Sequence, residues 1–154
     1  MTVEPCDPAE VRIERGADSA ATERILRALP EWFGLEQSLL AYVEAAGRLP
    51  GYLARLGDDV VGVLLVQRHF PGAAEIHLMA VDAAHHRAGI GRRLVAADGV
   101  RLLQVKTLGP SDPDPSYQGT RGFYAAMGFA PLEELPDLWP GNPCLILVKT
   151  LGPV

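Results

Sequence analysis

Cysteine, basic charge and long apolar runs are all scarce in this sequence. Only two cysteines, Cys6 and Cys144, occur in 154 residues. So far apart, they make neither a metal-type pair nor a C-x-x-C redox pair, and they read as reduced thiols rather than one disulfide. Lysine and arginine total 14 against 19 acidic residues, a formal charge of −5. That balance repels duplex nucleic acid at long range, so no nucleic-acid partner is expected. The longest apolar runs, such as residues 60–66 with Gly62 inside, fall far short of the roughly 20 residues of a membrane-spanning helix. The first residues show no basic stretch leading into an apolar one, so no export signal is expected. The expected location is cytoplasmic, with no membrane partner.

What remains is an ordinary globular composition, 48% apolar and 21% charged. At roughly 100–200 residues per domain, the length predicts one domain over residues 1–154. Glycine (16) and proline (13) are scattered, which predicts many turns rather than a low-complexity segment. No repeat of 20–50 residues is visible.

Hydropathy patterning predicts the element order. Residues 11–14 alternate as a strand. Asp18 or Ser19 can cap a helix carrying Ile25, Leu26 and Leu29. A second helix over residues 35–46 places Leu39, Leu40, Val43 and Ala46 at helical spacing. Residues 52–56 and 60–68 read as a hairpin about a Gly57-Asp58-Asp59 turn. Residues 74–81 form a strand whose Ile76, Leu78 and Ala80 face one way and Glu75, His77, Met79 and Val81 the other. A helix follows Gly89–Gly91, then a strand over residues 100–106. A short helix over residues 117–127 stops at Gly128. Strands at residues 129–133 and 144–150 close the chain, linked by a proline-rich loop that carries Trp139. The expected fold is α/β or α+β: one sheet of about seven strands with helices on both faces.

Chemistry concentrates where the strand ending at Val81 leads into His86-Arg87-Ala88-Gly89-Ile90-Gly91-Arg92. Gly89 and Gly91 let backbone N–H groups crowd around an anion, and the following helix adds its positive N-terminal end. Arg87, Arg92 and Arg93 surround the same place. A phosphate or pyrophosphate cradle fits. A P-loop does not, for want of a Gly-Lys pair, and a dinucleotide fingerprint would need glycine where Leu94 stands. About thirty residues later comes Phe123-Tyr124-Ala125-Ala126-Met127-Gly128-Phe129.

On those two motifs and their spacing the chain resembles the GNAT superfamily of acyl-CoA-dependent N-acetyltransferases. The family's pyrophosphate loop is written [Q/R]-x-x-G-x-[G/A], matched by residues 86–91 except that His86 replaces Gln or Arg. Its later helix commonly reads F-Y-x-x-x-G-F, as residues 123–129 do. The order of strands and helices fits along almost the whole chain. The helix after the loop is short for the family, with about nine residues between Gly91 and the next strand. The resemblance implies a mixed, mostly antiparallel sheet and transfer of an acetyl group from acetyl-CoA to a primary amine of a small molecule or peptide.

It also implies roles. The loop His86–Arg92 would hold the diphosphate, and backbone N–H groups near Met79, Ala80 and Val81 would receive the acyl oxygen. Arg121 and Phe123 would contact the coenzyme. Tyr124 matches the motif tyrosine and would protonate the departing thiolate. For the base that deprotonates the amine, Glu75 matches the glutamate of the histone-acetylating branch, within Ala74-Glu75-Ile76. His77, one pleat along, is the alternative, and bulk water a third. Trp32 and Phe33, with Glu31 and Glu36, lie in the segment that walls the acceptor site in this fold; Trp139 would close it from the other side, and Tyr117 would touch coenzyme or substrate. Many members pair as homodimers, though no residue here specifies the oligomeric state. A catalytically weak acyl-CoA-binding sensor of the same fold is the competing reading, and a nucleotide-binding protein a third.

No metal is expected. Adjacent histidines such as His85-His86 seldom ligate one ion together, and the Asp112–Asp114 turn lacks the glycine and glutamate of a calcium loop.

Overall fold

A computed structural model describes residues 7–113 and 115–151. Cys6 and Asp114 therefore lie outside the described residues. A 3-10 turn at Pro8–Glu10 leads into β1 (Val11–Arg15), α1 (Ser19–Arg27) and α2 (Glu36–Ala46). Then come β2 (Gly51–Leu56), β3 (Asp59–Phe70), β4 (Ala73–Val81) and α3 (Ile90–Ala97). The chain ends with β5 (Leu102–Leu108), α4 (Ser116–Ala126), β6 (Ala130–Trp139) and β7 (Asn142–Thr150). The seven strands are ordered β1-β2-β3-β4-β5-β7-β6. β4 and β5 pair in parallel, whereas β1 with β2, β2 with β3, β5 with β7 and β6 with β7 are antiparallel. The mixed, mostly antiparallel sheet expected from the sequence is therefore present. None of the helices is long and apolar enough to cross a membrane, among the described residues.

Two compact units share these strands: the described residues up to Gln67 with His77–Asp98, and Arg68–Ile76 with the described residues from Gly99 onward. In the first, the apolar run 60–66 is a strand covered on both sides, which is why it does not alternate with polar residues. Leu53, Val63 and Leu65 pack with Ile25, Leu26 and Leu29 of α1 and its following turn and with Leu39, Ala45 and Ala46 of α2. On the other side, a Cβ at Gly62 would stand 3.2 Å from Ile90 and 3.3 Å from Leu94, so glycine is what lets α3 lie close against β3. Leu94 is fully buried despite the shortness of α3. Burying a leucine in this way contributes about 2 kcal/mol.

α1 begins where a capping residue stands. The Asp18 carboxylate accepts a hydrogen bond from the Ala21 amide at 2.9 Å, satisfying one of the orphan donors of the first turn. Asp18→Ala should therefore lower stability by about 1 kcal/mol in urea denaturation with an unchanged m-value. In α2, Leu39 and Ala46 point inward as expected, but Leu40 is exposed; only one of two adjacent leucines fits the narrow buried stripe.

The second unit holds the starts of β4 and β5, with Ala73 opposite Leu102 and Ile76 opposite Val105. β5 begins two residues later than expected, because the amides of Arg101 and Leu102 both donate to the Gly72 carbonyl in the approach to the strand. The expected proline-rich loop before β7 is instead strand: β6 runs to Trp139, and Pro140-Gly141 turns directly into β7. β6 is the last strand of the sheet, where one row of N–H groups needs no partner, so Pro131 and Pro136 are tolerated. Register shifts at 131/133 and 135/139 absorb the disturbance.

Candidate active site

The loop after β4 is built from backbone before side chains. Asp82 is anchored by its amide to the Val61 carbonyl at 2.8 Å, and a single 3-10 turn, Ala83–His85, follows. Arg87 then takes a left-handed φ of 64°, the one non-glycine to do so among the described residues, and Gly89 takes φ 78°. No atom lies within 4 Å of a Cβ built on Gly89, so conformation rather than crowding calls for glycine there. The first main-chain bond into α3 runs from the Arg93 amide to the Gly89 carbonyl at 3.2 Å. The amides of Ile90, Gly91 and Arg92 precede it and have no carbonyl within the helix to bind. Arg87 and Arg92 are exposed, with charge suited to a diphosphate.

Not every arginine of the stretch belongs there. Arg93 sends its guanidinium to the Val11 carbonyl at 2.7 Å, tying α3 to β1. His86, which replaces the family's Gln or Arg, folds back so that its Nε2 donates to the Val81 carbonyl at 2.6 Å. Its ring also meets Trp32 edge-on, with centroids 6.4 Å apart. His85 instead buries its Nδ1 without a hydrogen-bond partner among the described residues. No group of three or more His, Cys, Asp or Glu able to hold a metal is present among them.

The same unit gathers a cluster of rings. Phe33 and Tyr42 meet at right angles with centroids 5.8 Å apart, and Tyr42 meets His77 of β4 at 5.6 Å. Trp32, Phe33 and Tyr42 are half-buried against the core of α1 and α2. Trp32 and Phe33 are placed by their amides, both of which donate to the Leu29 carbonyl. Tyr42 is the member that sequence reasoning missed. Its spacing from Leu39 and Ala46 was the available signal, since the three share one stripe of α2. Glu36, expected beside the rings as an anionic contact, is otherwise engaged. Arg27 grips both of its oxygens at 2.8 Å, and hydrogen bonding to that guanidinium holds the Glu36 carboxyl below its usual range.

In the second unit, Glu75 is buried and both of its oxygens are occupied. Lys106 Nζ donates to one at 2.7 Å, and His69 Nε2 lies 3.0 Å from the other. Burial by itself would raise the Glu75 carboxyl, but the bonds from Lys106 and then His69 outweigh it and leave it below the usual carboxylate range. Cys144 is fully buried, and burial pushes its thiol up, which makes it an inert core residue.

On α4, Tyr124 is buried between Phe123 and Phe129, each with its ring centroid 5.2 Å away. Phe123 is partly exposed. Arg121 donates to the Leu108 carbonyl at the end of β5, at 2.8 Å. Tyr117 sits in the first turn of α4 and Trp139 at the end of β6; both are half-buried.

A model of the GNAT acetyltransferase domain matches residues 47–131, more than half of the chain and the stretch that contains both motifs. The chain belongs to the GNAT acetyltransferase family. No curated protein matches it. Among solved structures it is similar to a GNAT-family protein from Desulfovibrio desulfuricans, at 21% identity over 92% of this chain and 99% of that one, with a TM-score of 0.79. It is similar to the ribosomal-protein-S18-alanine N-acetyltransferase of Escherichia coli, at 16% identity over 94% and 96% of the two chains, TM-score 0.70. It is also similar to an aminoglycoside 6′-N-acetyltransferase in complex with coenzyme A, at 19% identity over 93% and 98%, TM-score 0.67.

Proposed function

We propose that this chain transfers the acetyl group of acetyl-CoA to a primary amine of a small molecule or peptide by direct attack of the amine on the thioester. The observation that carries this reading is the backbone of residues 87–92. Two left-handed residues lead into a helix whose first amides have no helical acceptor, at the positions that resemble the family's pyrophosphate motif. Bound acetyl-CoA supplies an activated acyl group. The chain binds its diphosphate through the amides of Ile90, Gly91 and Arg92 and the charge of Arg87. Backbone N–H groups of Met79, Ala80 and Val81 serve the acyl oxygen, whose charge grows as nitrogen attacks. The amine arrives as an ammonium and must first lose a proton.

For that step we assign His77 rather than Glu75. Glu75 is a weak base with both oxygens already accepting hydrogen bonds, whereas imidazole suits proton transfer near neutrality. As the carbon–sulfur bond breaks, Tyr124 returns a proton to the thiolate, with Arg121 and Phe123 at its side on α4 supporting the coenzyme.

Calorimetric titration should detect acetyl-CoA binding, and mixing with amines should release free CoA thiol. Gly89→Val puts a β-branched residue at φ 78° and should weaken acetyl-CoA binding at least about tenfold. An absence of binding heat with folded wild-type protein would overturn the reading. Tight binding with no thiol released for any amine would favour the sensor.

A further inference from the structure

Aromatic residues make up 6% of this chain, yet three of them gather with two of its four histidines in the first unit. The carboxylates of the same segment are largely neutralised. Glu36 and Glu23 share Arg27, and Glu31 is exposed to solvent. Asp82, at the start of the loop, faces Arg24 at 3.5 Å.

From this we infer the substrate class: the acceptor is a primary alkylamine whose side chain bears an aromatic ring, recognised by Trp32, Phe33 and Tyr42. The inference rests on the acetyl-transfer reading above and deepens it. Trp32 touches His86 of the coenzyme loop and Tyr42 touches His77, so the rings adjoin the residues assigned to coenzyme and base. Rings meeting edge to face present further faces and edges to an incoming ring, in the offset or perpendicular geometries that aromatic pairs prefer.

The chemistry of the step points the same way. A pocket of unpaired carboxylates would hold a polycation but would also stabilise the ammonium that has to lose its proton. An aromatic, weakly polar surround disfavours the charged form and eases release of the proton to His77. One ammonium proton goes to imidazole and the neutral nitrogen bonds to the acyl carbon; as the carbon–sulfur bond breaks, sulfur takes its electron pair and a proton from Tyr124, and the second proton lost by nitrogen restores the phenol. No further reactant is needed.

The test measures initial rates of thiol release by the full chain with 2-phenylethylamine, n-butylamine, spermidine and kanamycin. The expected kcat/KM for 2-phenylethylamine exceeds that for the other three by about tenfold or more, a ratio that corresponds to about 1.4 kcal/mol. Tyr42→Leu and Trp32→Leu should each cut the preference over n-butylamine to about threefold or less, mainly through KM. Equal or greater turnover of spermidine or kanamycin, or a preference untouched in both variants, would overturn the inference and leave acetyl transfer standing. If no amine is acetylated, the transfer reading fails. Binding then decides the inference: 2-phenylethylamine should quench tryptophan fluorescence of the CoA-saturated protein, and lose that effect in Trp32→Phe, while spermidine does not. Absence of that quenching would overturn it.

Discussion

Tyr124→Phe should lower kcat by about a hundredfold while leaving acetyl-CoA affinity nearly unchanged. The substitution removes one oxygen and keeps the ring that packs between Phe123 and Phe129. A buried tyrosine replaced by phenylalanine therefore retains its dispersion contacts. General acid catalysis contributes about 10²–10⁴ in rate, and the leaving thiolate can still be protonated slowly by water, so the low end applies. Single-turnover measurement of thiol release separates this from a change in binding. If Tyr124 serves only as packing, kcat stays at the wild-type value and the role assigned to it falls.

Replacing Lys106 by methionine is expected to have the largest effect on stability, about 2 kcal/mol near pH 7. It leaves the Glu75 carboxylate buried with only His69 as a donor. Stranding a buried charge costs about 3–5 kcal/mol. Lys106 is partly exposed and His69 remains, so the lower figure is appropriate. The pH dependence follows from the direction of the Glu75 shift. In the wild type the carboxyl is held below its usual range, so its contribution is complete above that range and is lost as pH falls through the lowered value. In Lys106→Met, burial acts with less opposition and the carboxyl rises, so the penalty grows as pH climbs past it. Urea denaturation should show the gap between the two proteins shrinking from pH 7 toward pH 4. Adding Glu75→Gln to Lys106→Met should recover at least half of the loss, because a neutral amide can be buried more cheaply than an unpaired carboxylate. A gap independent of pH would mean that Lys106 stabilises only by packing.

Much of the local architecture was legible in the residues themselves. The hairpin of β2 and β3, the Asp18 cap and the start of α3 at Gly89 depend on neighbours within a few positions, and their signals are backbone chemistry. The two GNAT motifs were legible for the same reason, since each lies within one turn or one helix. The second half of β6 reads as a loop in the sequence because prolines that would break a central strand do little harm at a sheet edge, and edge position is not a local property. Leu39 is buried and Leu40 exposed, a difference that helical spacing alone does not specify, because it does not say which of two neighbouring leucines meets the core.

The sequence by itself determined where the backbone proposed to bind the diphosphate lies and which family its motifs resemble, because glycine at positive φ and a helix start are written in consecutive residues. Only the tertiary structure decided what surrounds the reactive groups. It joined Glu75 to Lys106, 31 positions away, and Tyr42 to His77 across the first unit, and it paired Glu36 with Arg27. Those pairings are made through space, and they govern which carboxylates are locked and which rings are gathered. No periodicity along the chain carries that information.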